Sequence, residues 1–308
     1  MNDLKPLVSV CMITYNHESY ISQAIEGILA QKTDFHFVLV IGEDCSTDNT
    51  RKICQEYKEK YPNKICLLLP KRNLGMQLNF IDTLKASIGK YIAICEGDDY
   101  WTDSYKLQKQ IDLLEAEEQD GIVAVATNCS VSDLNGNVVK KESLVIPPVN
   151  EEGVYTLHDF FKNSHQYPTL TVVFRNRDMN FILENMKKLS NPFLGDWILW
   201  ILLYQQGSFY FMNQVTASYR INPNSVTHTV NAIKRWEADF DIRRKLVEIL
   251  PSEYHQYLKG NFNTYFKISM AYRKDKQTFM FCKYQIKSFF SSPLNYVDRV
   301  IKIIFKSA

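Results

Sequence analysis

Hydrophobic and polar positions alternate in blocks along the first hundred residues of the chain. Four short apolar runs predict strands at 7–14, 35–42, 64–70 and 90–95. Between them, apolar residues recur at helical spacing and predict helices at 18–31, 47–61 and 76–87. Strands that are apolar on both faces and alternate with helices are typical of an α/β fold, in which a mostly parallel central sheet is flanked by helices.

The second half of the chain has a less regular pattern. It predicts strands at 121–131 and 169–175, a hairpin turn at 133–137, a buried helix at 196–206 and an extended segment at 207–220. Beyond residue 230 the periodicity is helical to the end of the chain. We therefore expect one domain over residues 1–230 and a basic, helical C-terminal region over residues 231–308.

The charge of the chain changes sign at the same boundary. Residues 1–230 carry 21 lysines and arginines against 27 aspartates and glutamates, whereas residues 231–308 carry 15 against 7. An acidic body argues against a nucleic-acid partner, because affinity for phosphate backbones requires cations on the binding body. The basic region permits contact with an anionic surface.

Cysteine usage and missing motifs exclude several classes of protein. The seven cysteines form no CxxC pair, and the N-terminus lacks the layout of a signal peptide, so we expect a cytoplasmic protein with reduced thiols. No two glycines lie two positions apart, and GxxxxGK, GxSxG and HExxH are absent. Classical dehydrogenases, P-loop kinases, serine hydrolases and zinc proteases are therefore disfavoured.

Polar clusters follow each of the first four predicted strands, and the last of them is the most acidic. In open α/β sheets ligands bind at the carboxyl ends of the strands, which is where "EGDDYW" (96–101) follows the fourth run. Asp98 and Asp99 are hard oxygen donors that suit Mg²⁺ or Mn²⁺ together with a substrate's phosphates. Alternatively, both carboxylates cap the next helix, although Asp103 is better placed for that role.

Four motifs in order carry a family resemblance: "VSVCMITYNHESYISQAIEGILAQ", "IGEDCSTDNT", "RNLG" and "GKYIAICEGDDYW". Over residues 6–230 the chain resembles a glycosyltransferase family 2 enzyme with the GT-A fold. The resemblance implies that a nucleotide-diphosphate sugar binds across the strand ends with Mn²⁺ or Mg²⁺. It implies these contacts: Thr14, Tyr15 and Asn16 with the base and ribose, Asp44 with the base (usually uracil), Asn73 with the nucleotide pocket, Asp98 with the ribose, and Asp99 with the metal.

One position departs from the family pattern. The family often has Asp-Asp-Gly-Ser where this chain has Glu43-Asp44-Cys45-Ser46. A cysteine in place of glycine predicts that this turn does not need a strongly positive φ, and that the thiol is a small buried filler.

Asp196 precedes an apolar, aromatic-rich stretch in "NPFLGDWILW". The simplest interpretation of an acid that begins a hydrophobic helix is an N-cap. Family members carry their catalytic base in a comparable aspartate, so the resemblance implies that Asp196 removes the proton of the acceptor hydroxyl. Desolvation by Trp197 and Trp200 would raise the pKa of this carboxyl, although both rings are equally compatible with core positions.

The segment "YRINPNSVTHT" (219–229) resembles the loop that closes over the diphosphate in many relatives. Arg220 and Ser225 are candidates for the phosphate oxygens, and His228 for the metal. The alternative is a solvated loop.

The end of the chain has the pattern of a basic amphipathic helix over residues 293–306. The pattern is compatible with three positions for this helix. It lies on the inner face of the cell membrane, it packs on the first domain, or it contacts a second subunit in a homo-oligomer.

The resemblance implies an inverting hexosyltransferase of bacterial surface polysaccharide synthesis. We expect it to move a sugar from a UDP-sugar to a hydroxyl of a glycan or lipid-linked glycan acceptor. The alternatives are a non-catalytic peripheral membrane or assembly protein that retains the fold, and a sugar-nucleotide pyrophosphorylase. The pyrophosphorylase is disfavoured because "TYNHESY" is not a Gly-rich basic loop.

Overall fold

A computed structural model describes residues 5–116, 120–140, 151–163, 167–190, 195–222, 232–258, 283–285 and 287–288 of the chain. The chain divides into two compact units, residues 1–223 and residues 224–308. The expected domain boundary at residue 230 and the amphipathic tail at 293–306 lie outside the described residues.

The first unit is built on one sheet, which has ten strands within the described ranges. These strands are β1 (Val8–Thr14), β2 (Phe37–Glu43), β3 (Ile65–Leu68), β4 (Tyr91–Ile94), β5 (Tyr100–Trp101), β6 (Ile122–Ser132), β7 (Val138–Lys140), β8 (Gly153–Tyr155), β9 (Val173–Arg175) and β10 (Ser208–Arg220). They lie in the order β3-β2-β1-β4-β9-β6-β10-β5, with β7 beside β6 and β8 beside β10.

Helices connect these strands. In the first unit they are α1 (Ile21–Leu29), α2 (Thr50–Lys60), α3 (Met76–Ala86), α4 (Lys106–Ala116), α5 (Leu157–Asn163), α6 (Met179–Lys188) and α7 (Gly195–Tyr204). The described part of the second unit contains α8 (Ala232–Leu246) and the short α9 (His255–Leu258). Within the described ranges, no helix is both long enough and apolar enough to cross a bilayer.

The direction of the strands explains where a site can form. β3, β2, β1 and β4 pair in parallel, and β6 and β10 also pair in parallel. Between these two groups, β9 runs antiparallel to both β4 and β6. The predicted α/β fold with a mostly parallel core is therefore observed, and the carboxyl ends of β1, β2 and β4 meet at one edge.

The strand expected at 169–175 is shorter than predicted. Thr169–Thr171 form a 3-10 turn, and only Val173–Arg175 join the sheet. Side chains from β5 and α4 satisfy the carbonyls of this turn. The Trp101 indole N–H donates to the carbonyl of Leu170, and the Gln110 side-chain amide donates to that of Thr171. Because these acceptors are satisfied by side chains, the segment does not need a strand partner.

The core lies on both faces of the sheet. β1 is buried at six of its seven positions, and its side chains share one hydrophobic cluster with Ile21, Ala24, Ile25 and Ile28 of α1, each at 0% exposure. Burial of one such side chain contributes roughly 1.5–3 kcal/mol. This packing makes the end of β1 a rigid support for the polar segments that follow.

Candidate functional site

Side chains join the loop after β1 to the loop after β2. The Asn16 amide N–H donates to the Ser46 hydroxyl at 3.0 Å, and the Asn16 side-chain carbonyl accepts from the Thr47 N–H at 2.9 Å. Asn16 has a φ of +54°, a left-handed conformation that asparagine tolerates better than most residues. Tyr15 is 42% exposed beside this junction. Tyr15 and Asn16, two of the residues predicted to contact the nucleotide, thus lie where hydrogen bonds join the loops after β1 and β2.

The turn after β2 corrects one prediction. Cys45 has a φ of +60°, so the inference that this turn avoids a positive φ is wrong. A left-handed non-glycine residue costs roughly 1–2 kcal/mol, and local bonds offset this cost. The Ser46 N–H donates to the buried Glu43 carboxylate at 2.7 Å, and the same carboxylate pairs with Arg51. Cys45 is also only half-buried, so it is not a fully buried filler.

Asp44 shapes the segment that precedes α3. Its two carboxylate oxygens accept the N–H groups of Leu74 at 2.7 Å and Gly75 at 2.9 Å. The Asn73 amide donates to the Asp44 carbonyl at 2.9 Å, so the structure brings these two predicted residues together. Burial raises the pKa of Asp44, and the two N–H donors oppose that rise. Asp44 therefore fixes the conformation of residues 73–75, which form one wall of the candidate site.

Gly97 allows the acidic segment to approach β1 closely. Its N–H donates to the Ile13 carbonyl at 3.0 Å, and a Cβ at this position would lie 2.7 Å from the Cβ of Thr14. A larger residue would push the segment away from the first loop. The sequence analysis did not single out Gly97, since its isolated position in the sequence does not indicate the close packing.

His17 and Asn222 approach the carboxylate of Asp98. The His17 Nε2 lies 3.7 Å from one Asp98 oxygen, and the Asn222 amide nitrogen lies 3.5 Å from the same oxygen. The other ring nitrogen of His17 is 3.2 Å from the Thr14 hydroxyl. The Asp98 side chain remains 17% exposed, so one carboxylate at this strand end is open to a ligand. The sequence analysis selected neither His17 nor Asn222.

Asp99 is turned into the protein. It is 4% exposed, and one of its oxygens accepts the Arg220 N–H at 2.8 Å. Burial, followed by the charges of Asp98 and Glu96, raises the pKa of Asp99 well above its ordinary value. Asp98 is therefore the more accessible of the two carboxylates, and the predicted contacts of Asp98 with the ribose and of Asp99 with the metal stay predictions.

The guanidinium of Arg220 is occupied by the protein itself. Its three nitrogens donate to the carbonyls of Asp98 at 2.9 Å and Leu134 at 3.0 Å, and to the side chain of Gln23 at 2.6 Å. The group also lies between the rings of Tyr20 and Tyr100, 4.8 and 5.0 Å from their centroids. Three of its N–H donors join the acidic segment to α1 and to the turn after β6, and the predicted contact of Arg220 with phosphate stays a prediction.

Glu96 completes the acidic cluster. One of its carboxylate oxygens is buried and has no hydrogen-bond partner among the residues that the structure describes. Burial raises the pKa of Glu96 to about 7, and the charges of Asp98 and Asp196 add to the rise. A buried acceptor without a donor and mutual repulsion among carboxylates both indicate a place that lacks positive charge.

Asp196 lies at the second position of α7. Its carboxylate is exposed and accepts the Trp197 N–H at 2.8 Å. The surrounding protein nonetheless desolvates it and raises its pKa. The charge of Asp196 also adds to the rise in the pKa of Glu96. Two of the predicted loop residues, Ser225 and His228, lie outside the described residues.

The donor set fits a divalent cation that is shared with a substrate. In the part of the chain that the structure describes, no three His, Cys, Asp or Glu side chains form a closed metal cluster. The accessible Asp98 carboxylate and the unpartnered oxygen of Glu96 are hard donors near each other in sequence. Mg²⁺ and related ions are usually held by one or two carboxylates plus phosphates, which is what this arrangement offers.

The raised pKa of Glu96 has a consequence for stability. In the metal-free protein the folded state keeps a proton that the unfolded state releases between pH 4.5 and about 7, so stability falls as pH rises through this window. Glu96→Gln should remove this loss and stabilise the metal-free protein at pH 7.5 by on the order of 2 kcal/mol. Urea unfolding in EDTA at pH 5 and 7.5 measures the effect. Glu56→Gln, at a 63% exposed carboxylate, is the control, and equal pH dependence of both variants would contradict the prediction.

Comparison with known sequences places these features in context. A family model described as Glycosyl transferase family 2 matches residues 9–190. The putative teichuronic acid biosynthesis glycosyltransferase TuaG of Bacillus subtilis is 26% identical over 240 residues, which cover 77% of this chain and 86% of TuaG. The uncharacterized protein Rv1520 of Mycobacterium tuberculosis is 45% identical over 108 residues, but the chain spans only 31% of that protein.

Solved structures resemble the whole fold at low sequence identity. Residues 1–349 of S. aureus TarS, in complex with UDP-GlcNAc, have a TM-score of 0.67 at 18% identity, and the match covers 94% of this chain and 82% of that fragment. The mannosyltransferase PcManGT of Pyrobaculum calidifontis, in complex with GDP-Man and Mn²⁺, has a TM-score of 0.56 at 13% identity, with 99% and 81% covered. These likenesses confirm the α/β fold of GT-A type.

Proposed function

The chain belongs to glycosyltransferase family 2, and we propose that it moves a sugar from a nucleotide-diphosphate sugar to a hydroxyl group of a glycan. The observation that carries the proposal is the acidic edge of the sheet. Asp98, which is accessible, and Glu96, one oxygen of which is buried without a partner among the described residues, lie in the segment that follows β4, and the charges of Asp98 and Asp196 both act on Glu96. In such sheets ligands bind at the carboxyl ends of the strands.

The donor would lie across the loops after β1 and β2. Tyr15 is exposed there for contact with the base, and Asp44 and Asn73 form the opposite wall. UDP is the proposed nucleotide, supported by the complex of TarS with UDP-GlcNAc. TuaG supports a role in the synthesis of a bacterial surface polysaccharide.

Asp98, with Glu96 beside it, would hold Mn²⁺ or Mg²⁺ against the diphosphate. The exposure of Asp98 supports this assignment, and the burial of Asp99 supports a structural role for that residue. When bound, such a cation neutralises the negative charge that grows on the departing diphosphate.

Asp196 would act as the general base. Its carboxylate accepts the proton of the acceptor hydroxyl while that oxygen bonds to the anomeric carbon. The bond from the anomeric carbon to the phosphate oxygen breaks at the same time, and the nucleoside diphosphate leaves with the electron pair. Attack from the face opposite the leaving group inverts the anomeric configuration.

Donor turnover tests the proposed function. The purified protein should release the nucleoside diphosphate from one member of a panel of UDP-glucose, UDP-galactose, UDP-GlcNAc and GDP-mannose with Mn²⁺. Asp98→Asn should lower this turnover at least tenfold, about the loss expected when metal affinity is weakened. Asp82→Asn, at an exposed carboxylate on α3, should not change it. Absence of release from every donor would favour a non-catalytic protein.

A further inference from the structure

A groove lies between β3 and α3, at one end of the strand order. β3 pairs with β2 on one side and is the last strand of the sheet within the described ranges. One wall of the groove is formed by residues 67–70, and the other by Asn79, Asp82, Lys85 and Ala86 of α3. Its volume is about 600 Å³. This space, the α3 groove, is large enough to receive several aliphatic side chains.

Apolar side chains around the α3 groove are exposed to solvent. Leu69, directly after β3, is 40% exposed, and Leu78 of α3 is 53% exposed. Spacings of four and three residues place Leu78, Asp82 and Lys85 in one row along α3, the α3 row. Ile88, just beyond the end of α3, is 54% exposed. A small ligand in the groove would leave these apolar side chains in water, so their exposure favours a macromolecular partner.

The α3 row carries two opposite charges. Within the described ranges, neither Asp82 nor Lys85 has a hydrogen bond or an ion pair through its side chain. Because the two charges cancel, the row is not suited to an anionic membrane surface, which attracts clusters of cations. Opposite charges one turn apart are self-complementary, since an antiparallel copy of the same helix places Asp82 of each copy opposite Lys85 of the other.

We propose that the α3 groove is an interface between two copies of this chain, with the two α3 helices antiparallel across a twofold axis. Asp82 of each copy faces Lys85 of the other. Leu78 of each copy enters the groove of the other near the end of that helix, where Ile88 is exposed. Burial of these apolar side chains drives association, and the paired charges fix the register of the two helices. This inference does not depend on the proposed function.

The backbone of β3 is not the surface that joins the two copies. The Lys58 ammonium donates to the Ile65 carbonyl at 2.6 Å and to the Pro62 carbonyl at 2.8 Å. A lysine that covers the edge of a strand hinders the addition of a further strand. The two copies therefore meet through the side chains of the α3 groove and the α3 row, and the sheet does not continue from one copy into the other.

Sedimentation velocity of the full chain over a range of concentrations tests this inference. The wild type should form a particle with twice the mass of one chain. Asp82→Lys and Lys85→Asp each place like charges opposite each other at two points of the interface, so each should weaken self-association at least tenfold. A mixture of the two variants should form the dimer again, because the lysines of one variant then face the aspartates of the other. The double variant, which carries both changes, should also form a dimer.

Lys52→Asp, at a 75% exposed lysine on α2, is the matched control and should leave self-association unchanged. A wild type that stays monomeric at every concentration would overturn the inference, and so would a dimer that neither charge reversal weakens. Failure of both the mixture and the double variant to recover the dimer would also overturn it. Should a charge reversal abolish the cooperative melting transition, Leu78→Ser gives the comparison, and self-association as strong as that of the wild type would then contradict the interface.

Discussion

Replacement of Asp196 by asparagine should lower kcat by about 10²–10⁴-fold, the usual contribution of a general base. The amide keeps the size of the side chain but cannot accept the proton of the acceptor hydroxyl. Because Asp196 is exposed on α7, whereas Asp44 and Asn73 are hydrogen-bonded to each other in the segments after β2 and before α3, affinity for UDP should remain within about twofold of the wild type. Initial rates at saturating donor and acceptor measure this effect.

The control for this variant is Asp178→Asn, at an acid that caps α6. It removes a carboxylate from the same half of the chain and should leave kcat unchanged. The wild-type rate should also fall as pH drops through the raised pKa of Asp196, since the protonated carboxyl is no longer a base. A kcat of Asp196→Asn within threefold of the wild type would contradict the assignment of the base.

Replacement of Arg220 by methionine should destabilise the first unit by roughly 3–5 kcal/mol. Arg220 is 3% exposed and donates to three separate acceptors, so its removal leaves the carbonyls of Asp98 and Leu134 without these donors. Two aromatic rings also lose a cation between them. Urea unfolding measures the loss, and Arg220→Lys should recover only part of it, because an ammonium cannot reproduce the planar set of donors.

Arg244→Met is the control for the loss of an arginine as such. Arg244 is 74% exposed and pairs only with the exposed Asp241 among the partners recorded for it, so the change should cost less than about 1 kcal/mol. If Arg220→Met were as stable as Arg244→Met, the three bonds would not hold the acidic segment, and the structural role of Arg220 would be wrong.

The order of strands and helices in the first hundred residues was predictable from the sequence. The apolar run at 7–14 became β1 (Val8–Thr14), and the run at 90–95 became β4 (Tyr91–Ile94), because a strand buried on both faces requires a continuous apolar stretch. The collection of polar clusters at one edge followed from the parallel direction of these strands. The helices α5 and α6 were not predicted, although the buried Ile182, Leu183 and Met186 of α6 recur at helical spacing.

The roles of individual side chains were less predictable than their location. Asp98 and Asp99 are neighbours with the same chemistry, and only the pairing of Arg220 with Asp99 shows which carboxylate is buried. The conformation of Cys45 depends on bonds to Glu43, and no residue pattern reports these bonds. Sequence identifies the chemistry available at a strand end, whereas tertiary contacts decide which atoms face the ligand.

The most direct test of the central claim is calorimetric titration of UDP into the wild-type protein and Asp98→Asn, each with and without Mn²⁺. The account predicts that Mn²⁺ strengthens UDP binding to the wild type at least tenfold, and that the gain is absent in Asp98→Asn because the accessible carboxylate is lost. Equal strengthening of both proteins would contradict the assignment of Asp98. UDP binding that Mn²⁺ does not change in the wild type would contradict a metal-dependent donor site at this edge of the sheet.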